Sequence, residues 1–226
     1  VLTAHHVLEV LPKSGRLSII LSDLIHKDSI DIQGLEYLEI ARGHRGSDRP
    51  DIGAIIIAPN IAASIKSNQA NKVFYNLEIR RDFLLKTPPN VGNGVWFVNR
   101  FIAEGTITIL DHGGYALLRG FQNLSGRCSP EPVVVVGNHD YFSFPVSQGG
   151  SFVAPKRFGG ISGGGLWQVL LTLDSNGNLC HQYPFLSGVV FYQEFDIIKG
   201  SAARCLCHGR LSIYQVAYDA LNKDHL

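Results

Sequence analysis

Three side chains in this 226-residue chain have the types and settings needed for nucleophilic acyl chemistry. Ser162 lies in Gly160-Ile161-Ser162-Gly163-Gly164-Gly165-Leu166-Trp167, a serine among glycines ahead of an apolar strand. A turn of this kind lifts a hydroxyl clear of the backbone, where a substrate carbonyl can reach it. A serine hydroxyl is a poor nucleophile at its free pKa and needs an adjacent base. His6, at the end of Val1-Leu2-Thr3-Ala4-His5-His6, is a base of the right strength near neutral pH. Asp51 stands at the mouth of the apolar run Ile52-Gly53-Ala54-Ile55-Ile56-Ile57. A carboxylate behind an imidazole fixes its tautomer and stabilises the imidazolium. Each residue alone has a plainer reading: a flexible turn, a strand-edge carboxylate, a satisfied histidine. The ordered set favours a triad over three coincidences.

Together these segments resemble the trypsin/chymotrypsin-type serine peptidases. The order His, Asp, Ser separates that type from subtilisins and α/β-hydrolases, which reach the same geometry in other orders. Thr3-Ala4-His5-His6 resembles the family's Thr-Ala-Ala-His, and Asp51-Ile52-Gly53-Ala54 its Asp-Ile-Ala-Leu. Gly160-Ile161-Ser162-Gly163-Gly164-Gly165 resembles its Gly-Asp-Ser-Gly-Gly-Pro, and Ser187-Gly188-Val189-Val190-Phe191-Tyr192 the strand lining the substrate cleft. The 45-residue interval from His6 to Asp51 also suits that fold. The likeness runs in order over residues 1 to 221, with poor matching between about 60 and 115. It implies an all-β fold of two antiparallel barrels with a C-terminal helix over 212–222. His6 and Asp51 would lie in a first unit, 1–100, whose start is truncated, and Ser162 in a second, 101–226. The backbone N–H groups of Gly160 and Ser162 would form the oxyanion hole. His5 is the rival to His6 as base, one register step away. The activity implied is serine endopeptidase, with a polypeptide substrate and no cofactor. A protease-fold binding module with a weakened site is the alternative.

Three departures from the family pattern bear on that choice. Ile161 replaces an acidic residue, so activation by pairing with a newly cut N-terminus is not expected. Phe191 stands where a serine usually helps to hold the aspartate. Gln193 stands where a glycine usually opens the primary pocket, and it would narrow or reshape that pocket. Lys156 falls where the pocket base would be, with Arg157 beside it. Pointing inward, Lys156 would favour an acidic residue before the scissile bond; in a loop of different length both cations would lie in solvent.

Composition agrees with a mainly β protein. The 24 glycines and 10 prolines imply many turns, and the length suffices for two small cores. A net charge of +1 gives no argument for nucleic acid or membrane. No apolar run approaches the ~18 residues a membrane helix needs. Nothing in the sequence speaks to oligomeric state. The cysteines at 128, 180, 205 and 207 do not fall where the family's disulfides would lie. That favours a reducing, cytoplasmic setting or a bacterial-type, disulfide-poor member of the family. Cys205-Leu206-Cys207-His208 has a zinc reading, but a structural site needs four ligands, and buried or loop thiols are the simpler account. No metal site is expected.

Periodicity predicts the elements that must carry these residues. Strands are expected over 17–21, 37–40 and 52–57, with no clear period from 62 to 85 and an inter-barrel linker over about 86–112. Residues 115–121 should open the second barrel. Strands at 133–136 and 141–144 should be joined by a hairpin at Gly137-Asn138-His139-Asp140, where turn chemistry explains His139 and Asp140 better than a dyad does. Strands are also expected over 166–173 and 186–191, around a turn at 174–178. Ser212 and Gln215 have capping-box spacing at the start of the final helix.

Overall fold

The computed structural model describes residues 1–20, 27–43, 49–67, 74–101, 107–110, 116–119, 123–145, 159–181, 184–196, 198 and 201–223. The described chain is mostly β structure in antiparallel sheets, with a helix at its C-terminal end. No sheet closes into a barrel among the described residues.

The first unit is built on a three-stranded sheet ordered β1 (Leu2–Thr3), β5 (Asp51–Ile57), β4 (Leu35–Arg42). A hairpin of β2 (Arg16–Ile20) and β3 (Lys27–Asp31) joins it. Two helices follow the sheet's strands, α1 (His5–Val10) after β1 and α2 (Pro59–Ser67) after β5. Ile30, Ile32, Leu35, Ile55 and Ile65 form its core, with Leu8, Leu11 and Leu17 packed against them. The uninterrupted apolar run of β5 reflects burial between α1, the neighbouring strands and this core.

The second unit is a seven-stranded sheet. Its order is β10 (Val134–Val136), β11 (His139–Pro145), β16 (Ser201–His208), β15 (Phe185–Asp196), β12 (Gly165–Val169), β6 (Val95–Phe101), β9 (Asn123–Cys128). The chain beyond β9 returns to the other side of the sheet, where the Glu131 N–H donates to the Ser143 carbonyl at 2.6 Å. Trp96, Val98, Phe142, Phe144, Ile161, Leu166, Val190, Cys205 and Cys207 fill its core. Two small hairpins complete the strands: β7 (Ile107–Leu110) with β8 (Ala116–Arg119), and β13 (Leu171–Leu173) with β14 (Leu179–His181).

Several expectations need correction. The stretch without clear period holds α2 and α3 (Leu77–Lys86), the latter capped by the Asn76 side chain on the Ile79 N–H. The expected linker contains β6, a full member of the seven-stranded sheet, which therefore begins at Val95 rather than near 115. The C-terminal helix runs over 210–223, π-helical through Ser212–Ala217 and then α-helical as α4 (Tyr218–Lys223). Ser212 makes no capping box: its hydroxyl and N–H bond Asp140 of β11, which pins the helix start to the sheet. The hairpin turn is Gly137-Asn138, with Gly137 at φ +62°, and His139 pairs with Val136 across it.

Candidate functional site

His6 owes its position to α1. Ala4 and Val7 pack against Tyr141, Phe191 and Leu206 of the second unit, while Leu8 and Leu11 reach the first unit's core. These positions make one apolar stripe at helical spacing, and His6 falls beside it, about half exposed. Gly53 of β5 lets the helix lie this close: a Cβ there would come 2.6 Å from the Leu8 Cδ1 and 3.1 Å from the Leu38 carbonyl oxygen.

Asp51, the first residue of β5, meets His6 twice. The His6 Nδ1 lies 2.5 Å from Oδ2, and the His6 backbone N–H donates to Oδ1 at 2.9 Å. With the carboxylate ionised, Nδ1 carries the proton and Nε2 is left as the free base. The bond to Asp51 raises the His6 pKa above 6.5, against a smaller opposing effect of burial. Burial by itself would push the Asp51 carboxyl up, but the His6 ring and backbone bonds outweigh it and hold Asp51 below 3.8. His5 turns the other way, its Nε2 2.9 Å from Glu39 Oε2. His6, not His5, therefore faces the aspartate.

Ser162 sits in the turn before β12. Gly160 (φ +88°) and Gly163 (φ +80°) take left-handed conformations that a side chain would strain, which explains the glycines around the serine. The turn is fastened to β15: the Gly163 N–H donates to the Val190 carbonyl at 2.7 Å, and the Val190 N–H to the Gly164 carbonyl at 2.8 Å. Among the described residues, the Gly160 and Ser162 N–H groups donate to no protein acceptor. No hydrogen bond joins Ser162 to His6. What brings their two elements together is the cluster of Ala4 and Val7, from the His6 segment, with Tyr141, Leu206 and Phe191, the residue after Val190.

Phe191 is the extra residue of a β-bulge between β15 and β16, since Val190 pairs with Cys207 and Tyr192 with Leu206. Its ring is buried 4.5 Å, centroid to centroid, from that of His208. Gln193, half-buried two residues on, pairs with Cys205. Ile161 packs into the second core, a role no carboxylate could fill. Lys156 and Arg157 lie outside the described residues.

His208 was legible only as the end of Cys205-Leu206-Cys207-His208, yet its Nε2 accepts the Asp51 backbone N–H at 3.0 Å. Alternation along β16 separates the two kinds of residue. Cys205 and Cys207 enter the core, whereas Leu206 and His208 face the first unit. No pattern in the sequence marks His208, since all four residues of this stretch are buried. All four cysteines are free, and burial pushes the Cys128 and Cys205 thiols up to about 12. Among the described residues no cluster of three or more His, Cys, Asp or Glu could hold a metal.

An apolar cavity of about 480 Å³ borders the Ser162 turn at Gly163 and Gly165 and reaches Leu2, Ile55 and Trp167. His6, Asp51 and Ser162 do not line it. No family model, no curated protein and no solved structure matches this chain, so the geometry of the site alone carries its functional reading.

Proposed function

We propose that this protein is a serine endopeptidase working through an acyl-enzyme, on a fold of two chymotrypsin-like barrels. The observation that carries the reading is the His6–Asp51 pair, in which ring and backbone both bond one carboxylate and Nε2 stays free. The Glu131–Ser143 link, which joins the far side of the seven-stranded sheet to β11, supports a barrel-like second unit.

In this mechanism the Ser162 Oγ attacks the scissile carbonyl carbon and passes its proton to His6 Nε2. The Gly160 and Ser162 N–H groups donate to the oxyanion. His6 then protonates the leaving amine, and water, deprotonated by the same nitrogen, hydrolyses the ester. Donors aimed at a developing oxyanion are each worth roughly 100- to 1000-fold in rate. Asp51 keeps the proton on Nδ1 and stabilises the imidazolium.

One observation favours the second reading, a binding module with a weakened site: Ser162 makes no hydrogen bond to His6. Catalytic hydrogen bonds are often long in ligand-free proteins and tighten only with substrate. A fluorophosphonate probe separates the two readings, because only an activated serine is phosphonylated. Covalent labelling at Ser162, abolished in Ser162→Ala with folding intact, supports the peptidase. An unlabelled wild-type protein supports the module.

A further inference from the structure

We propose that His208 is a positioning residue for the His6–Asp51 pair, fixing Asp51 by its backbone through the Nε2 lone pair; this rests on the reading of that pair as the base of a serine hydrolase. The two Asp51 carboxylate oxygens are both taken by His6, one by the ring and one by the backbone N–H. The Asp51 N–H is taken by His208 at 3.0 Å. The residue is thereby held from both sides, by the first unit through its side chain and by the second through its main chain.

His208 is poorly explained as packing alone. It is fully buried among the rings of Phe191 (4.5 Å between centroids), Tyr141 (5.3 Å) and His139 (5.9 Å). A phenylalanine would suit such a cage better. Its Nδ1 is buried with no partner, and an unmade buried hydrogen bond is destabilising. Among the described residues, the hydrogen bond its ring makes is the one to Asp51. An acceptor at Nε2 requires a neutral ring. Burial and the neighbouring His139 hold the His208 pKa at about 3, and the other charged groups facing it are Asp51 and Arg49. The imidazole thus stays an acceptor throughout the pH range in which His6 titrates.

Register connects this bond to the nucleophile. His208 pairs with Val189 of β15, and the next residue, Val190, makes both bonds to the Ser162 turn. Consecutive residues of β15 therefore serve the strand position that anchors Asp51 and the one that anchors the serine. The Phe191 side chain has no polar atom to offer Asp51, whereas His208, on the Ser162-bearing sheet, grips the aspartate by the main-chain N–H of Asp51.

The test uses two unbranched replacements, His208→Gln, whose amide oxygen can accept the N–H, and His208→Met, which fills the cage without accepting as well. The first readout is the downfield proton resonance of the His6 Nδ1–H in the full chain, which needs no activity. The second is the rate of fluorophosphonate labelling as a function of pH. His208→Met should weaken or broaden the resonance and slow labelling on the order of 100-fold, the usual cost of a catalytic group displaced by about 1 Å. His208→Gln should restore most of both. Equal behaviour of the two variants, whether both keep the signal or both lose it, overturns the proposal. So does a wild-type protein with no such resonance, since no held pair then exists to position. A wild-type protein that shows the resonance but is never labelled overturns the peptidase reading instead, and the comparison of Gln with Met still decides the role of His208.

Discussion

At the scale of single residues, the His6–Asp51 pair makes its own pH dependence. Asp51 raises the His6 pKa, so labelling of Ser162 should rise with pH through a midpoint above 6.5. Asp51→Asn presents an amide N–H to Nδ1, forces the proton onto Nε2 and removes the base; labelling should fall by about 10,000-fold. A midpoint below 6.5 in the wild type, or an Asp51→Asn protein that labels normally, would show that another group is the base. The signs of the two linkages oppose each other. The raised His6 contributes stability that is full below its ordinary 6.5 and is lost as pH rises through its folded value. The lowered Asp51 contributes stability that is full above its ordinary 3.8 and is lost as pH falls through its folded value. The stability gap between wild type and Asp51→Asn should therefore be widest between pH 3.8 and 6.5. Denaturant titrations across pH would measure it.

At the scale of elements, the contact of α1 with β5 decides where His6 stands. Gly53→Val places two methyl groups where a single Cβ would already lie 2.6 Å from Leu8. We expect a loss of about 1–3 kcal/mol, typical of overpacking, and a larger fractional loss of labelling than of folded protein. Equal losses would mean that the helix tilts without moving His6. The legibility of the sequence divides along similar lines. β5 and β11 were readable because apolar runs bounded by turn residues report burial on both faces. α2 and α3 were not: α2 buries only Ile65 fully and α3 only Leu84, so neither carries a wide apolar stripe. Their stability comes from partners, as when Arg81 of α3 bonds the Tyr214 carbonyl and Asp219 in the final helix. Ser162, His6 and Asp51 could be picked out by residue type and order. His208 could not, because its partner lies 157 residues away on a strand of the other sheet.

At the scale of the whole molecule, two shared clusters join the units. One is Ala4 and Val7 with Tyr141, Phe191 and Leu206; the other includes Leu2, Leu84, Phe185, Val189 and Tyr214. The opposite end of the large sheet is less protected. Edge strand β10 exposes Val134, Val135 and Val136, the last two at 59% and 55%. Open apolar edges invite strand addition. Val135→Lys should slow aggregation at high concentration, read by light scattering, and leave thermal stability and labelling unchanged; an altered labelling rate would tie this edge to the site. The fastening of the Ser162 turn to β15 also sets a hierarchy of solvent exchange. The Gly163 and Val190 amides, each bonded across the turn, should trade hydrogen for deuterium only when the large sheet opens as a whole. The Gly160 and Ser162 amides, with no acceptor among the described residues, should exchange within the shortest measurable labelling time. On the proposed mechanism, phosphonylation would give those two amides an oxyanion-like partner and should slow them while leaving Gly163 unchanged. The turn would then act as a rigid frame whose two idle amides become protected only while acyl chemistry, or its mimic, occupies them.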